Sequence, residues 1–279
     1  MTSNRDESVI AGFGDEWSRF NQSALTDSER HGVFDQYFAI FPWSDISADS
    51  QGADFGCGSG RWASVAASRV GRLICLDPSE SALNVARVNL APHANVEFVL
   101  GDVQTNSIPA ESLDFGYSLG VLHHVPDTQD ALISCVSRLK QGAPFLLYLY
   151  YAFDNRPFWF KGLWKISDWI RSGISHFPFR LRYVVSQLIA AFVYWPLART
   201  AKVVERLGVN SSHFPLSYYR DRSFYVMRTD ALDRFGTRLE QRFTQKQIKT
   251  MMENAGMSRI SFSDGEPYWC AVGYKVSKA

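Results

Sequence analysis

From residue 51 to residue 154, short apolar runs alternate with stretches of helical period. The runs are Gly52–Phe55, Arg72–Leu76, Val96–Leu100, Leu113–Ser118 and Pro144–Tyr150. Between them, Arg61–Val70, Ser79–Leu90 and Thr128–Lys140 read as helices. This alternation is that of βαβ units and predicts a doubly wound parallel sheet. The rhythm stops from Asn155 to about Thr229. It resumes where Thr244 caps a helix through Ala255 and Gly256 ends it. Ile260–Phe262 and Tyr268–Val276 follow as two strands around the turn SDGEP. Near the start, Ser28–Ile40 predicts a helix with Phe34, Tyr37 and Phe38 on one side.

The predicted fold is therefore α/β and Rossmann-like: a mostly parallel seven-stranded sheet, helices on both faces, and a helical insertion after the fifth strand. Four segments result. Residues 1–50 form an N-terminal helical cap, 51–154 an α/β core, 155–229 the aromatic-rich insertion, and 230–279 the last helix and two strands of the core.

Composition narrows the class. With 46% apolar and 20% charged residues the chain is globular rather than disordered. Lys plus Arg number 29 against 28 for Asp plus Glu, so no nucleic-acid partner is expected. Cys57, Cys75, Cys135 and Cys270 form no CxxC pair and the histidines are scattered, so no metal is expected. The cysteines read as buried thiols of a reducing compartment. The first residues, MTSNRDESVIAGFGDEW, lack the pattern of a signal peptide. No apolar run reaches the roughly 18 residues of a membrane span. The expected location is cytoplasmic, with membrane association through the insertion as a second reading.

The densest motif is ADFGCGSGRWA at 53–63, an apolar strand running into Gly56, Gly58 and Gly60 and then a helix. Such glycines let a backbone bend tightly and approach a ligand. The turn also satisfies a loose dinucleotide fingerprint, and its surroundings separate the two readings. Asp54 stands two residues before the first glycine, where a pyrophosphate would meet negative charge and a cationic ligand would be welcome. Asp77 ends the second strand, where a carboxylate can accept both hydroxyls of a ribose. Gly101-Asp102 ends the third strand and Leu119-Gly120 the fourth.

Together these motifs resemble those of the class I S-adenosylmethionine-dependent methyltransferases, particularly the branch that includes the ubiquinone/menaquinone C-methyltransferases. The resemblance covers residues 51–150 and the C-terminal helix and strands; it does not cover the insertion or the N-terminus. It implies S-adenosyl-L-methionine as cofactor. Asp54 with Gly56, Cys57, Gly58 and Gly60 would line its methionine part. Asp77 with Pro78 would hold the ribose, Asp102 with Val103 the adenine, and Leu119 the floor beneath the methyl.

Methyl transfer needs a base only where the acceptor atom loses a proton. His123, in VLHHVPD, and Tyr150, after the fifth strand, are the candidates nearest the expected methyl. Core packing and backbone hydrogen bonding compete with catalysis for both. Residues 156–200 hold 11 aromatics, seven Lys or Arg and one acid, Asp168. Trp159 and Trp164 are candidates to wall an acceptor pocket, and Arg222 to hold an anionic group on the acceptor. The insertion reads as a lid, a membrane-resting surface or a scaffold. The expected activity is methylation of a largely apolar small molecule, such as an isoprenoid, quinone, polyketide or lipid-like intermediate. Methylation of a sugar or nucleotide sugar, and cofactor binding without turnover, are the rival readings.

Overall fold

Gln51–Phe55 (β1), Arg72–Asp77 (β2), Val96–Leu100 (β3), Phe115–Leu119 (β4), Pro144–Tyr148 (β5), Met257–Phe262 (β6) and Cys270–Lys275 (β7) form one sheet in the order β3-β2-β1-β4-β5-β7-β6. The first five strands run parallel, and β7 is antiparallel to β5 and to β6. This is a computed structural model, and it describes residues 4–22, 25–211 and 214–276. The strand order reverses between β1 and β4, and sheets of this kind bind ligands at the carboxyl ends beside that reversal.

Two compact units divide the chain: Met1–Gln22, Thr26–Ala152 and Leu239–Ala279 form the first, Ser23–Leu25 and Phe153–Arg238 the second. The first unit carries the sheet. Its helices before the insertion are Glu7–Arg19 (α1), Asp27–Tyr37 (α2), Ala63–Ala66 (α3), Glu80–Asn89 (α4) and Thr128–Ser137 (α5). The second unit holds Phe158–Ile174 (α6), Phe179–Ile189 (α7), Trp195–Arg206 (α8) and Phe224–Gly236 (α9). The chain then returns to the first unit with Gln245–Asn254 (α10), whose start is the expected Thr244 cap, closed reciprocally by Gln247.

Alternation along the strands divides the first unit's core between the two faces of the sheet. Leu73 and Cys75 of β2 pack with Phe34, Ala63 and Leu83, on the side of α2, α3 and α4. Ile74 and Leu76 pack with Leu132, Cys135, Ile248 and Met252, on the side of α5 and α10. The strands match the apolar runs except at their ends. Leu113 makes only an isolated bridge to Leu139, so β4 starts at Phe115. β5 stops at Tyr148, after which Tyr150 accepts a hydrogen bond from Phe243 N and Tyr151 bridges Phe243.

The second unit has a small core of its own, with Ile174, Ala190, Tyr194, Met227, Ala231 and Phe235 among its members. The sequence holds no uninterrupted apolar run of spanning length. Yet α7, a π-helical turn at Ala190–Tyr194 and α8 join into one helix of 28 residues, Phe179–Arg206. By length and composition it could cross a membrane. Isolated arginines end an apolar run without ending a helix, since Arg is a good helix former.

Candidate active site

The glycine turn is positioned by β1 and closed by sterics. Gly56, Gly58 and Gly60 take φ values of +85°, +53° and +76°, which side chains rarely adopt. A Cβ on Gly56 would lie 2.4 Å from Val121, and one on Gly58 would lie 2.9 Å from Trp17 Nε1. The N–H groups of Gly56 and Cys57 both donate to Leu76 O, tying the turn to the end of β2. Within the turn, the adjacent Cys75 thiol and then burial push the Cys57 thiol well above the ordinary range.

Asp77 links this turn to α4. Its Oδ2 accepts from Gly58 N at 2.8 Å and its Oδ1 from Ser79 N at 2.9 Å. Ser79, after Pro78, in turn caps α4 by accepting from Ala82 N. Burial raises the Asp77 carboxyl to about 6, against the pull of those two N–H groups. Each carboxylate oxygen has a second lone pair, so acceptor capacity for a ribose survives.

Asp54 is the anomaly of the site. It is 1% exposed, and neither carboxylate oxygen has a hydrogen-bond partner of normal geometry. Burial holds its carboxyl well above the ordinary range; Tyr117 beside it acts the other way and Asp77 adds to the rise. Buried carboxylates without partners are rare, because desolvation penalises the charge. A cationic ligand group would supply the partner this position lacks, and the turn next to it is lined by Val121 and Trp17. The residues present therefore fit a ligand with a cationic end and a ribose.

Asp102 serves its own loop. Its Oδ1 accepts from the N–H groups of Gln104 and Thr105, its Oδ2 from Thr105 Oγ1, and Arg5 lies 3.7 Å away. Burial would raise its carboxyl, but these donors together hold it below the ordinary value. Val103 beside it is buried in the α5-side core. Leu119 closes β4, buried, ahead of Gly120 at φ +77°, whose N–H donates to Tyr148 O.

His123 and Tyr150 do meet. Their rings stack at 3.9 Å, at the carboxyl ends of β4 and β5. His123 is fully buried and neither ring nitrogen has a partner; burial, then His124 and Arg242, holds it well below the ordinary value and so neutral. His124 is different: its Nδ1 hydrogen-bonds Leu239 O at 2.7 Å. Arg242 lies over the Tyr150 ring at 5.0 Å. The aromatic contacts continue in both directions. Tyr148 touches Tyr37 at 5.0 Å, Tyr37 touches Trp62 at 4.8 Å, and His124 touches Phe13 at 4.9 Å.

Trp159, Trp164 and Arg222 lie in the second unit. The two tryptophans stand on different faces of α6. Trp159 and Trp169 are exposed, whereas Phe160 and Trp164 turn inward, Trp164 against Phe153 at 5.6 Å and beneath Arg234 at 5.7 Å. Arg222 lies over the Tyr218 ring at 5.1 Å.

Two contributors were not singled out by the sequence. Trp17 and Phe13 reach the site from α1, a helix weakened by Gly12 and Gly14. Its one clear signal is Asp6, whose carboxylate caps it by accepting from Ser8 N and Val9 N. Tyr117, on β4, is fully buried beside Asp54. Among the described residues, no group of three His, Cys, Asp or Glu could hold a metal ion.

Comparison with known proteins agrees with this geometry. Residues 53–147 match the methyltransferase domain family. Over 136 residues the chain is 30% identical to an uncharacterized 37.1 kDa protein of transposon TN4556 from Streptomyces fradiae. That match covers 48% of this chain and only 38% of the relative, so the chain spans well under half of that protein's length. Among solved structures, a Haloferax volcanii protein described as a methyltransferase, in complex with the Trm112 methyltransferase activator, is similar with 15% identity, a TM-score of 0.50 and coverage of 98% of this chain and 99% of that one. An S-adenosylmethionine-dependent methyltransferase of Thermotoga maritima aligns with 14% identity, a TM-score of 0.49 and coverage of 94% and 99%. With its sheet order, its glycine turn and the family match in residues 53–147, the chain carries a class I S-adenosylmethionine-dependent methyltransferase domain.

Proposed function

We propose that the chain transfers the methyl group of S-adenosylmethionine to a largely apolar small molecule. When bound, the cofactor supplies an electrophilic methyl on a sulfonium. Asp54 takes its cationic amino-acid end, ending that carboxylate's lack of a partner, and Asp77 accepts the ribose hydroxyls. Gly56, Gly58 and Gly60 give the turn the positive-φ backbone that brings it to the cofactor, and the loop braced by Asp102 flanks the base. Leu119 floors the methyl end.

The observation that carries the acceptor class is the aromatic series Trp62–Tyr37–Tyr148–Tyr150–His123–His124–Phe13 at the carboxyl ends of the strands. Such a wall favours a flat or greasy acceptor over a polyhydroxylated one. His123, neutral and with both nitrogens unpartnered, is the group that can accept a proton from the acceptor, and Tyr150 fixes its ring by stacking. The test is transfer of labelled methyl, read by mass spectrometry, to a panel of quinols, isoprenoids and polyketides beside a panel of nucleotide sugars. Product is expected in the first panel, with His123→Gln lowering kcat about a hundredfold or more and leaving cofactor affinity unchanged. Product in the sugar panel alone, or cofactor binding without product in either, would overturn the reading.

A further inference from the structure

Two helices of the second unit, α6 and Phe179–Arg206, carry apolar stripes outward. On α6, Phe158, Trp159, Leu163, Ile166, Trp169 and Ile170 are all exposed, Phe158 by 87% and Trp169 by 80%. At 100° per residue they fill one arc of about 140°. On the Phe179–Arg206 helix, Leu181, Val184, Leu188, Phe192 and Trp195 recur at three- and four-residue intervals and are exposed, Phe192 by 76%. Both stripes are regular enough to bury against something.

The inward sides of the same helices carry buried polar groups beside the small core. Arg171 is buried, pairs with Asp168 at 2.7 Å and donates to Thr237 O at 2.9 Å. Arg182 donates to Gly236 O, Arg199 to Arg220 O, and Arg228 to both Gln187 and Tyr183. Buried charge and hydrogen bonds thus lie beside the unit's small apolar core, while the largest side chains of the two stripes lie outside. In water, faces of this extent are normally covered.

We propose that the second unit docks on an anionic lipid bilayer, with the outward stripes of α6 and of Phe179–Arg206 seated in the headgroup–acyl boundary. Charge complementarity selects this occupant. Lys161 and Lys165 are exposed along one edge of the α6 arc, and Arg180 is exposed next to Leu181. The one acid in residues 156–200, Asp168, is held by Arg171 and by Arg234 at 3.5 Å. Apolar stripes with tryptophans and an exposed basic edge are the makeup of an interfacial helix on anionic lipid. A second copy is a poorer partner, because a symmetric interface would bring the same basic edges toward each other. A transmembrane path is also disfavoured. Phe179–Arg206 has the length, but Arg182, Gln187 and Arg199 anchor its inner side to α9 and its flanking turns, so lipid can surround only one side.

Co-sedimentation of the full chain with vesicles tests this, using phosphatidylcholine alone and phosphatidylcholine mixed with phosphatidylglycerol. The expected result is binding to the mixed vesicles that weakens as salt rises. Phe192→Ser and Trp169→Ser should each weaken it about tenfold or more. Lys161→Glu, Lys165→Glu and Arg180→Glu together should remove the preference for anionic lipid. S-adenosylmethionine affinity, measured by calorimetry, should be unchanged in every variant; this reports folding and keeps the proposal separable from the catalytic reading. Three results would overturn it: no binding of the parent chain to either vesicle, a dimer in ultracentrifugation that Phe192→Ser dissolves, or vesicle retention that survives alkaline carbonate.

Discussion

The two units of this chain use the same residue types in opposite ways. In the first, the largest apolar side chains lie inside: Phe55, Phe115, Tyr117 and Phe145 are completely buried against the sheet. In the second, Phe158, Trp169 and Phe192 stand in solvent while Arg171 and Ser186 are buried. Hydrophobic periodicity is present in both. Periodicity states that a helix has an apolar face; what covers the face is decided by the partner available. For the first unit the partner is its own sheet. For the outward stripes of the second, the proposed partner is a lipid surface.

The sharpest way to break this comparison is to remove one large ring from the first unit. Phe145, on β5, is fully buried in the α5-side core and lies 6.0 Å from Phe55. Phe145→Ala should lower unfolding stability by about 3–5 kcal/mol, the usual loss for a ring deleted from a packed core. The denaturant midpoint reads it. A change below about 1 kcal/mol would mean that the sheet core is far looser than its burial indicates.

This asymmetry also explains what was legible in the sequence. Strands β1 to β5 stand within two residues of their apolar runs, because parallel strands of such a sheet are written as continuous apolar stretches. Asp54, Asp77 and the three glycines were legible because they occupy strand ends, where backbone geometry restricts the choice of residue. Trp17 and Phe13 were not, since Gly12 and Gly14 weaken the helical signal of α1, and its position depends on contacts with Ser79, Ser81 and Gly58 far along the chain. The inward turn of Trp164 and the outward turn of Trp159 were also hidden. Their spacing fixes the angle between them but leaves open which side meets the unit's core.

A second, somewhat smaller effect separates the units by pH. Burial raises Asp77 from 3.8 to about 6, so between these values the folded chain holds a proton that the unfolded chain has lost. The first unit should therefore lose stability as pH rises from about 4 through about 6, by about 2–3 kcal/mol from this group. Asp54, raised in the same direction, adds to the slope. Cofactor affinity should run the other way and strengthen over the same interval, because the ionised carboxylates are the better acceptors. Denaturant titrations at a series of pH values, with calorimetry alongside, give both slopes. Asp77→Asn should flatten the stability slope in part and leave the remainder to Asp54. Parallel slopes in the parent chain and in Asp77→Asn would remove Asp77 from the buried charge balance.

The smallest expected effect is the most telling about the second unit. Leu188 sits on the outward stripe, 51% exposed, one residue from Gln187, whose side-chain oxygen accepts from Arg228 at 2.5 Å on the inner side. If folding relied on that stripe, Leu188→Gln would behave as a core truncation and destabilise by about 2 kcal/mol or more. If the unit holds together through its polar inner side and its small core, the same change should stay within about 0.5 kcal/mol, as surface substitutions do. A glutamine keeps helix propensity close to that of leucine, so the backbone contributes little to the difference. Replacing the inner partner instead, by Gln187→Leu, should destabilise more, because it leaves the Arg228 guanidinium short of an acceptor in a half-buried place. The expected order is thus the reverse of the usual one: making the helix surface more polar is tolerated, and making its interior more apolar is harmful. Thermal melts of the two variants side by side decide it, and a larger loss for Leu188→Gln than for Gln187→Leu would return the second unit to the ordinary pattern of the first.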